Sequence, residues 1–178
     1  MPKSQGVPIE LPRALANPLP LALTATILSA NHERCQVLKI RTPPSCRSLE
    51  IDGLQLQDAS CVGSFDPLQG SGLRIDRQSQ CPVTVMDCRV LHNSNPDSPA
   101  VLLPTGQYSS VLDSNVLVLR CVVSENHASH AISCAGSARI EDSEISENDA
   151  TDPRGYPQNG AGLFAPAGAI IRRCLIAG

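Results

Sequence analysis

Residues 116–128 read VLVLRCVVSENHA, and nearly the same pattern is written at 83–94 (VTVMDCRVLHNS) and 138–150 (ARIEDSEISENDA). Take Cys88, Cys121, Ser143 and Cys174 as position zero. Five residues earlier stand Val83, Val116, Ala138 and Ala169; three earlier, Val85, Val118, Ile140 and Ile171. Two later come Val90, Val123, Ile145 and Ile176; five later, Asn93, Asn126 and Asn148. Leu49, Ile51, Leu54, Leu56 and Ala59 form another copy without the Asn, and Leu23, Thr26, Leu28 and Asn31 a looser one. The alternation on each side of zero is strand periodicity, and the one-residue slip just before zero reads as a bend or bulge between two short strands. Repetition at fixed internal spacing predicts a solenoid.

A second apolar group follows each copy: Gly72-Leu73-Arg74-Ile75, Ala100-Val101-Leu102, Ala131-Ile132 and Gly162-Leu163, with Val37-Leu38-Lys39-Ile40 as the earliest. Each unit is therefore expected to run strand, bend, strand, Asn turn, strand, Gly turn. Zero positions at 26, 54, 88, 121, 143 and 174 give intervals of 28, 34, 33, 22 and 31, so the shortest turn takes 22 residues and the others carry insertions. Leucine-rich repeats have a similar period, but their spaced Leu pattern is absent.

Composition agrees with thin stacked layers. Aromatics are 2% of the 178 residues and Trp is absent, so Val, Ile, Leu, Ala and Cys must fill the interior. Fifteen Pro and twelve Gly imply many turns. The net charge of -3, with no basic cluster, argues against nucleic acid as a partner. No apolar run reaches the roughly 18 residues that a spanning helix needs. Residues 19–30 (LPLALTATILSA) resemble a signal-peptide core, but Glu10 and the interrupting Pro18 and Pro20 favour a strand.

Eight cysteines are present without a Cys-x-x-Cys pair, so zinc has no local support. Cys88, Cys121 and Cys174 share position zero and are expected to stack inward as small, reduced hydrophobes. Cys35, Cys46, Cys61 and Cys81 lie between the motif copies and are the better bridge candidates in an oxidising compartment.

On these segments the chain resembles the right-handed parallel β-helix family, with its pectin-lyase-like fold. The copies are most similar to polymorphic outer membrane protein and autotransporter-passenger repeats, although they lack the Gly-Gly-Ala/Ile tetrapeptides of that pattern. The expected fold is all-β: a right-handed solenoid of about six turns over residues 20–178, with residues 1–19 as an incomplete first turn. The chain stops at Gly178, one residue short of the Asn expected after Cys174, and no polar helical cap is evident. A fragment of a longer coil is therefore expected, whose open ends associate with themselves or a partner. The resemblance implies no single activity, because the same coil carries lyases, hydrolases, adhesins and scaffolds.

In such a coil equivalent residues lie about 4.8 Å apart, so every repeat position becomes a ladder. Asn93, Asn126 and Asn148 can tolerate a left-handed conformation and are expected to hydrogen-bond from turn to turn. Asp87, Arg120, Asp142 and Arg173, just before zero, alternate in sign and should pair as scaffolding. Three insertions follow the Asn position, at 60–71, 94–99 and 149–161, and should emerge at one corner. That corner gathers Phe65, Asp66, Asp97, Asp149, Asp152, Arg154, Tyr156 and Asn159 as candidate ligand contacts for a sugar ring and its hydroxyls, or for Ca²⁺. Tyr108 lies in a further insertion.

Glu125, His127 and His130 form an E-x-H-x-x-H cluster, but in a short turn with no further ligand, so no metal or cofactor is assigned. Asp52, Glu141 and Arg172 share one outward position, and Arg89 and Glu144 another, without a recognisable carboxylate pair. The functional expectation is a non-catalytic, structural or adhesive module, extracellular or at the cell surface, contacting polysaccharide or another protein. The alternatives are part of a polysaccharide lyase or glycoside hydrolase, and an intracellular interaction scaffold.

Overall fold

The structure, a computed structural model, describes residues 26–30, 36–42, 45–60, 71–77, 81–103, 116–134, 138–150, 162–165 and 169–177. All regular structure among these residues is strand. In chain order the strands begin with β1 (Thr26–Ser29), β2 (Leu38–Thr42), β3 (Leu49–Asp52), β4 (Leu54–Gln57), β5 (Leu73–Arg77) and β6 (Val83–Met86). They continue with β7 (Arg89–Leu91), β8 (Ser94–Asn95), β9 (Val101–Leu102), β10 (Val116–Leu119), β11 (Val122–Ser124) and β12 (His127–Ala128). The last are β13 (Ile132–Ser133), β14 (Arg139–Glu141), β15 (Glu144–Ser146), β16 (Leu163–Phe164), β17 (Ile170–Arg172) and β18 (Leu175–Ala177).

Every pairing is parallel and joins one turn to the next. The first sheet runs β1-β4-β7-β11-β15-β18, the second β3-β6-β10-β14-β17, the third β2-β5-β9-β13-β16, and a short fourth pairs β8 with β12. This is a parallel β-solenoid, of which about three turns, from β7 to β17, are paired in all four walls. The register follows the motif alignment: Ile51 opposes Val85, which opposes Val118, which opposes Ile140 and then Ile171. Leu56, Val90, Val123, Ile145 and Ile176 form the matching row of the first sheet. Leu73, Val101, Ile132 and Leu163 do so in the third.

These rows are the core. Leu56, Leu73, Ile132, Ile140 and Ile145 are fully buried, and each such side chain contributes about 1.5–3 kcal/mol relative to exposure. The β-branched residues suit this use, because their stiff side chains pack well on a pleated surface with neighbours above and below.

The bend between the second and first sheets has a single-residue cause. Gly53, Asp87, Arg120, Asp142 and Arg173 all lie in the left-handed region, with φ of 65°, 52°, 52°, 51° and 52°. One such residue turns the chain through a corner without leaving the ladder: the amides of Asp87, Arg120 and Asp142 still donate to Leu119, Glu141 and Arg172 carbonyls at 3.1 Å. For residues with a Cβ this conformation costs roughly 1–2 kcal/mol. The alternating charges partly offset it. Arg120 grips Asp87 through Nε (2.8 Å) and Nη2 (2.5 Å), and Arg173 grips Asp142 at 2.5 and 2.7 Å.

A second left-handed row, Asp58, His92, Glu125 and Glu147 (φ 62°, 55°, 56° and 54°), turns the chain out of the first sheet. The Asn residues, which can tolerate that conformation, do not adopt it here. It belongs instead to the residue just before each Asn. The Asn solves the hydrogen-bonding problem that this turn creates. The amide of Asn93 is served by Asn126 Oδ1 (3.0 Å), that of Asn126 by Asn148 Oδ1 (3.2 Å), and that of Ala59 by Asn93 Oδ1 (3.1 Å). Each Asn Nδ2 in turn donates to a carbonyl one turn back: Leu56 for Asn93, Val90 for Asn126 and Val123 for Asn148. A side-chain amide supplies one acceptor and two donors from a single residue, which no other small side chain but Gln does.

Position zero is likewise more than filler. Cys88 and Cys121 are buried and Cys174 is partly so. Their thiols donate to carbonyls two residues back, at Met86, Leu119 and Arg172, and to Ile51, Val85 and Ile140 of the preceding turn. Ser143 Oγ donates to Glu141 O at 2.8 Å and accepts from the Cys121 amide at 3.1 Å. A small side chain with one donor fits this row, so Ser and Cys interchange. Cys46, preceding β3, is disulfide-bonded to Cys81, preceding β6, which staples adjacent turns. Closing a loop of this length is expected to add about 2–4 kcal/mol.

Candidate functional site

With the interior filled by ladders, chemistry must come from the outer faces and corners. The starts of the three predicted insertions do share a ladder: Ser60 pairs with Ser94, β8 with β12, and His127 with Asp149. At this corner the Asp97 amide donates to Asn95 Oδ1 (3.2 Å), and His127 Nδ1 lies 3.1 Å from Asp149 Oδ2. Phe65, Asp66, Asp152, Arg154, Tyr156 and Asn159, like Tyr108, lie outside the described residues.

The E-x-H-x-x-H residues do not converge. Glu125 sits at a left-handed corner with Oε2 3.4 Å from His92 Nδ1, and His127 turns to Asp149. His130 packs its ring on Phe164, centroids 5.2 Å apart, with Nε2 buried and unpartnered. Burial pushes its pKa down, favouring the neutral ring. Among the described residues no three His, Cys, Asp or Glu side chains gather as a metal site.

The carboxylates are tied to arginines. Arg139 donates to Glu141 Oε1 through Nε (3.1 Å) and Nη2 (2.5 Å), while Arg173 reaches Oε2 at 3.3 Å. The Arg139 contact, reinforced by Arg173, holds the Glu141 carboxyl below the usual range. Arg120 and Arg173 do the same for Asp87 and Asp142. At Asp76 burial works the other way, but Arg74 and Lys39 outweigh it and the carboxyl again stays low.

The third sheet carries a feature that the sequence reading did not single out. One row of it runs Lys39, Arg74, Leu102, Ser133, Phe164 along successive turns. At one end Lys39 (3.4 Å), Arg74 (2.6 Å) and Arg41 (4.0 Å) surround Asp76, three cations on one carboxylate, with Arg41 still 65% exposed. At the other end Phe164 is 53% exposed. Only the strand register brings these together, because no two of the five are neighbours in the chain. The arrangement offers positive charge for an acidic group at one end and an aromatic face for a ring at the other, separated along the coil axis by the buried Leu102 and Ser133.

Two of the free thiols, Cys121 and Cys134, offer little reactivity. The hydrogen bond to Cys88 and burial raise Cys121 far above its ordinary value, and burial pushes Cys134 up to about 11. An apolar gap between Cys88 and Cys121, lined also by Leu73, Val101 and Ile132, is far below ligand size. Among the described residues no helix is long and apolar enough to cross a membrane. Comparison with family models, curated proteins and solved structures finds no match to this chain.

Proposed function

We propose that this chain is a non-catalytic solenoid module that works outside the cell or at its surface, as a stiff spacer with an adhesive face for acidic glycan. The observation that carries this reading is the axial row from Lys39 and Arg74 to Phe164, with more cationic charge at one end than Asp76 neutralises. An extended polyanion laid along the axis would meet charge first and a ring platform last. The Cys46–Cys81 bridge supports an oxidising compartment. The carboxylates Glu141, Asp142, Asp87 and Asp76 are held ionised, the opposite of the raised pKa that a glycosidase's general acid uses. As an extension of the same reading, the coil is right-handed, pectin-lyase-like and of about six turns.

Titration calorimetry with a polyuronate and with a neutral glucan tests it. The polyuronate is expected to bind, and the neutral glucan not. Phe164→Ala, or Lys39→Gln with Arg41→Gln, should weaken binding roughly tenfold, equivalent to about 1.4 kcal/mol. No polyuronate binding removes the adhesive reading, and release of unsaturated or reducing ends replaces it with the lyase or hydrolase alternative.

A further inference from the structure

The outer face of the second sheet has a charge distribution that is its own complement. Two outward rows cross it. One runs Glu50, Thr84, Leu117, Arg139, Ile170, and the other Asp52, Met86, Leu119, Glu141, Arg172. At the β3 end the face is acidic: Glu50 and Asp52 are both exposed. In the middle it is apolar, with Met86, Leu117 and Leu119 each partly exposed on the outside of the strands. At the β17 end it is basic, because Arg139 and the exposed Arg172 stand against the single carboxylate of Glu141, which Arg139 already holds.

An acid end, an apolar centre and a basic end in one line are what a two-fold axis requires of an isologous contact. Place the axis in the interface, parallel to the strands and over β10. The second copy then lies face to face with its stacking order reversed. Leu117 and Leu119 meet their own counterparts, and Glu50 and Asp52 of each copy face Arg172 of the other. The alternative axis, along the stack, would set acid on acid and base on base. The first sheet carries a smaller version of this pattern, Arg89 and Glu144 on either side of Val122, without the second acid or the paired leucines.

We infer that this face is where two copies of the chain pair, with sheets packed face to face. Five strands at about 4.8 Å spacing, three to four residues wide, bury only some hundreds of Å² in all. That is below the roughly 1,000 Å² of a stable interface, so the dimer is weak and needs its end charges. It should therefore form at protein concentrations on the order of 100 µM and loosen as salt shortens the screening length to about 10 Å or less.

Sedimentation velocity on the intact chain over that range, at low salt, is the test. A monomer–dimer equilibrium is expected for the parent, with at least a roughly fivefold weaker association for Arg172→Glu and for the pair Glu50→Arg with Asp52→Arg. All three positions are exposed, so circular dichroism should report an unchanged fold. Mixing the two reversed variants should restore the dimer, now as a hybrid, because each acid end again meets a basic one. A parent that stays monomeric at low salt overturns the inference. So does a dimer indifferent to both reversals, which would place the contact elsewhere, at the coil ends first.

Discussion

Asn126→Ala is expected to lower the unfolding free energy by about 3–5 kcal/mol, more than any single apolar truncation in the coil except the largest. The reason is the number of groups one amide serves. Nδ2 donates to Val90 O and Ser124 O at 2.9 Å and to Asn148 Oδ1 at 3.0 Å, while Oδ1 accepts from the amide and Nδ2 of Asn93, both at 3.0 Å. The side chain is 1% exposed, so the alanine leaves these partners buried beside a cavity that water cannot easily fill. Each unpaired buried group costs about 1–3 kcal/mol, reduced where the turn relaxes. Urea unfolding measures it, and a loss under about 1 kcal/mol would mean that the Asn row is decoration on a turn held by something else.

Gly72→Ala should cost about 2–3 kcal/mol, for want of space rather than of conformational freedom. A Cβ there would overlap Val90 Cγ1 and lie 3.0 Å from Asn93 Nδ2 and 3.1 Å from the Ala100 carbonyl. That carbonyl cannot retreat, since it accepts the Gly72 amide at 2.8 Å and the Leu73 amide at 3.0 Å. Overpacking of this kind typically costs about 1–3 kcal/mol. Because the worst overlap is with one methyl, Gly72→Ala in a Val90→Ala background should cost clearly less than in the parent. Such non-additivity is expected of residues in contact. Equal costs in both backgrounds, by thermal or urea unfolding, would rule out the overlap as the cause.

Much of this fold was legible because a solenoid writes its contacts into its spacing. Aligning Cys88 with Cys121, Ser143 and Leu54 was already a statement of register, and the observed pairing of Val85 with Val118 and Val90 with Val123 follows it. The slip before position zero was readable as a bend, yet its mechanism was not. Left-handed residues are usually sought among Gly and Asn, whereas here, Gly53 apart, Asp, Arg, His and Glu occupy both corners. A charged residue at a corner carries no local signal; only the alternation of Asp87, Arg120, Asp142 and Arg173 hinted that this row was special. The turn-to-turn hydrogen bonding of the Asn row was legible and is present, whereas the left-handed conformation that an Asn can tolerate falls on the residue before it.

The candidate surface was less legible for a related reason. Lys39, Arg74 and Phe164 occur in unremarkable segments, and their alignment depends on insertions whose lengths differ from turn to turn. The aromatic loop residues were conspicuous in a chain with four Phe and Tyr in total. Composition therefore favoured Phe65 and Tyr156 over Phe164, although Phe164 is the one that the ladder sets in line with the cations. Likewise the self-complementary face needs the outward rows of five strands at once, and no single segment contains more than two of its residues.

Parallel, in-register stacking of these turns underlies the ladders, the corners and the outer faces alike, and amide-to-amide nuclear Overhauser effects on the isotope-labelled chain test it most directly. Val122 should show cross-peaks to residues near Arg89 and near Glu144, 33 and 22 positions away, with the same offsets repeated from Val118 to Val85 and to Ile140. Effects between adjacent strands of one copy in antiparallel register, such as β10 against β11, would contradict it.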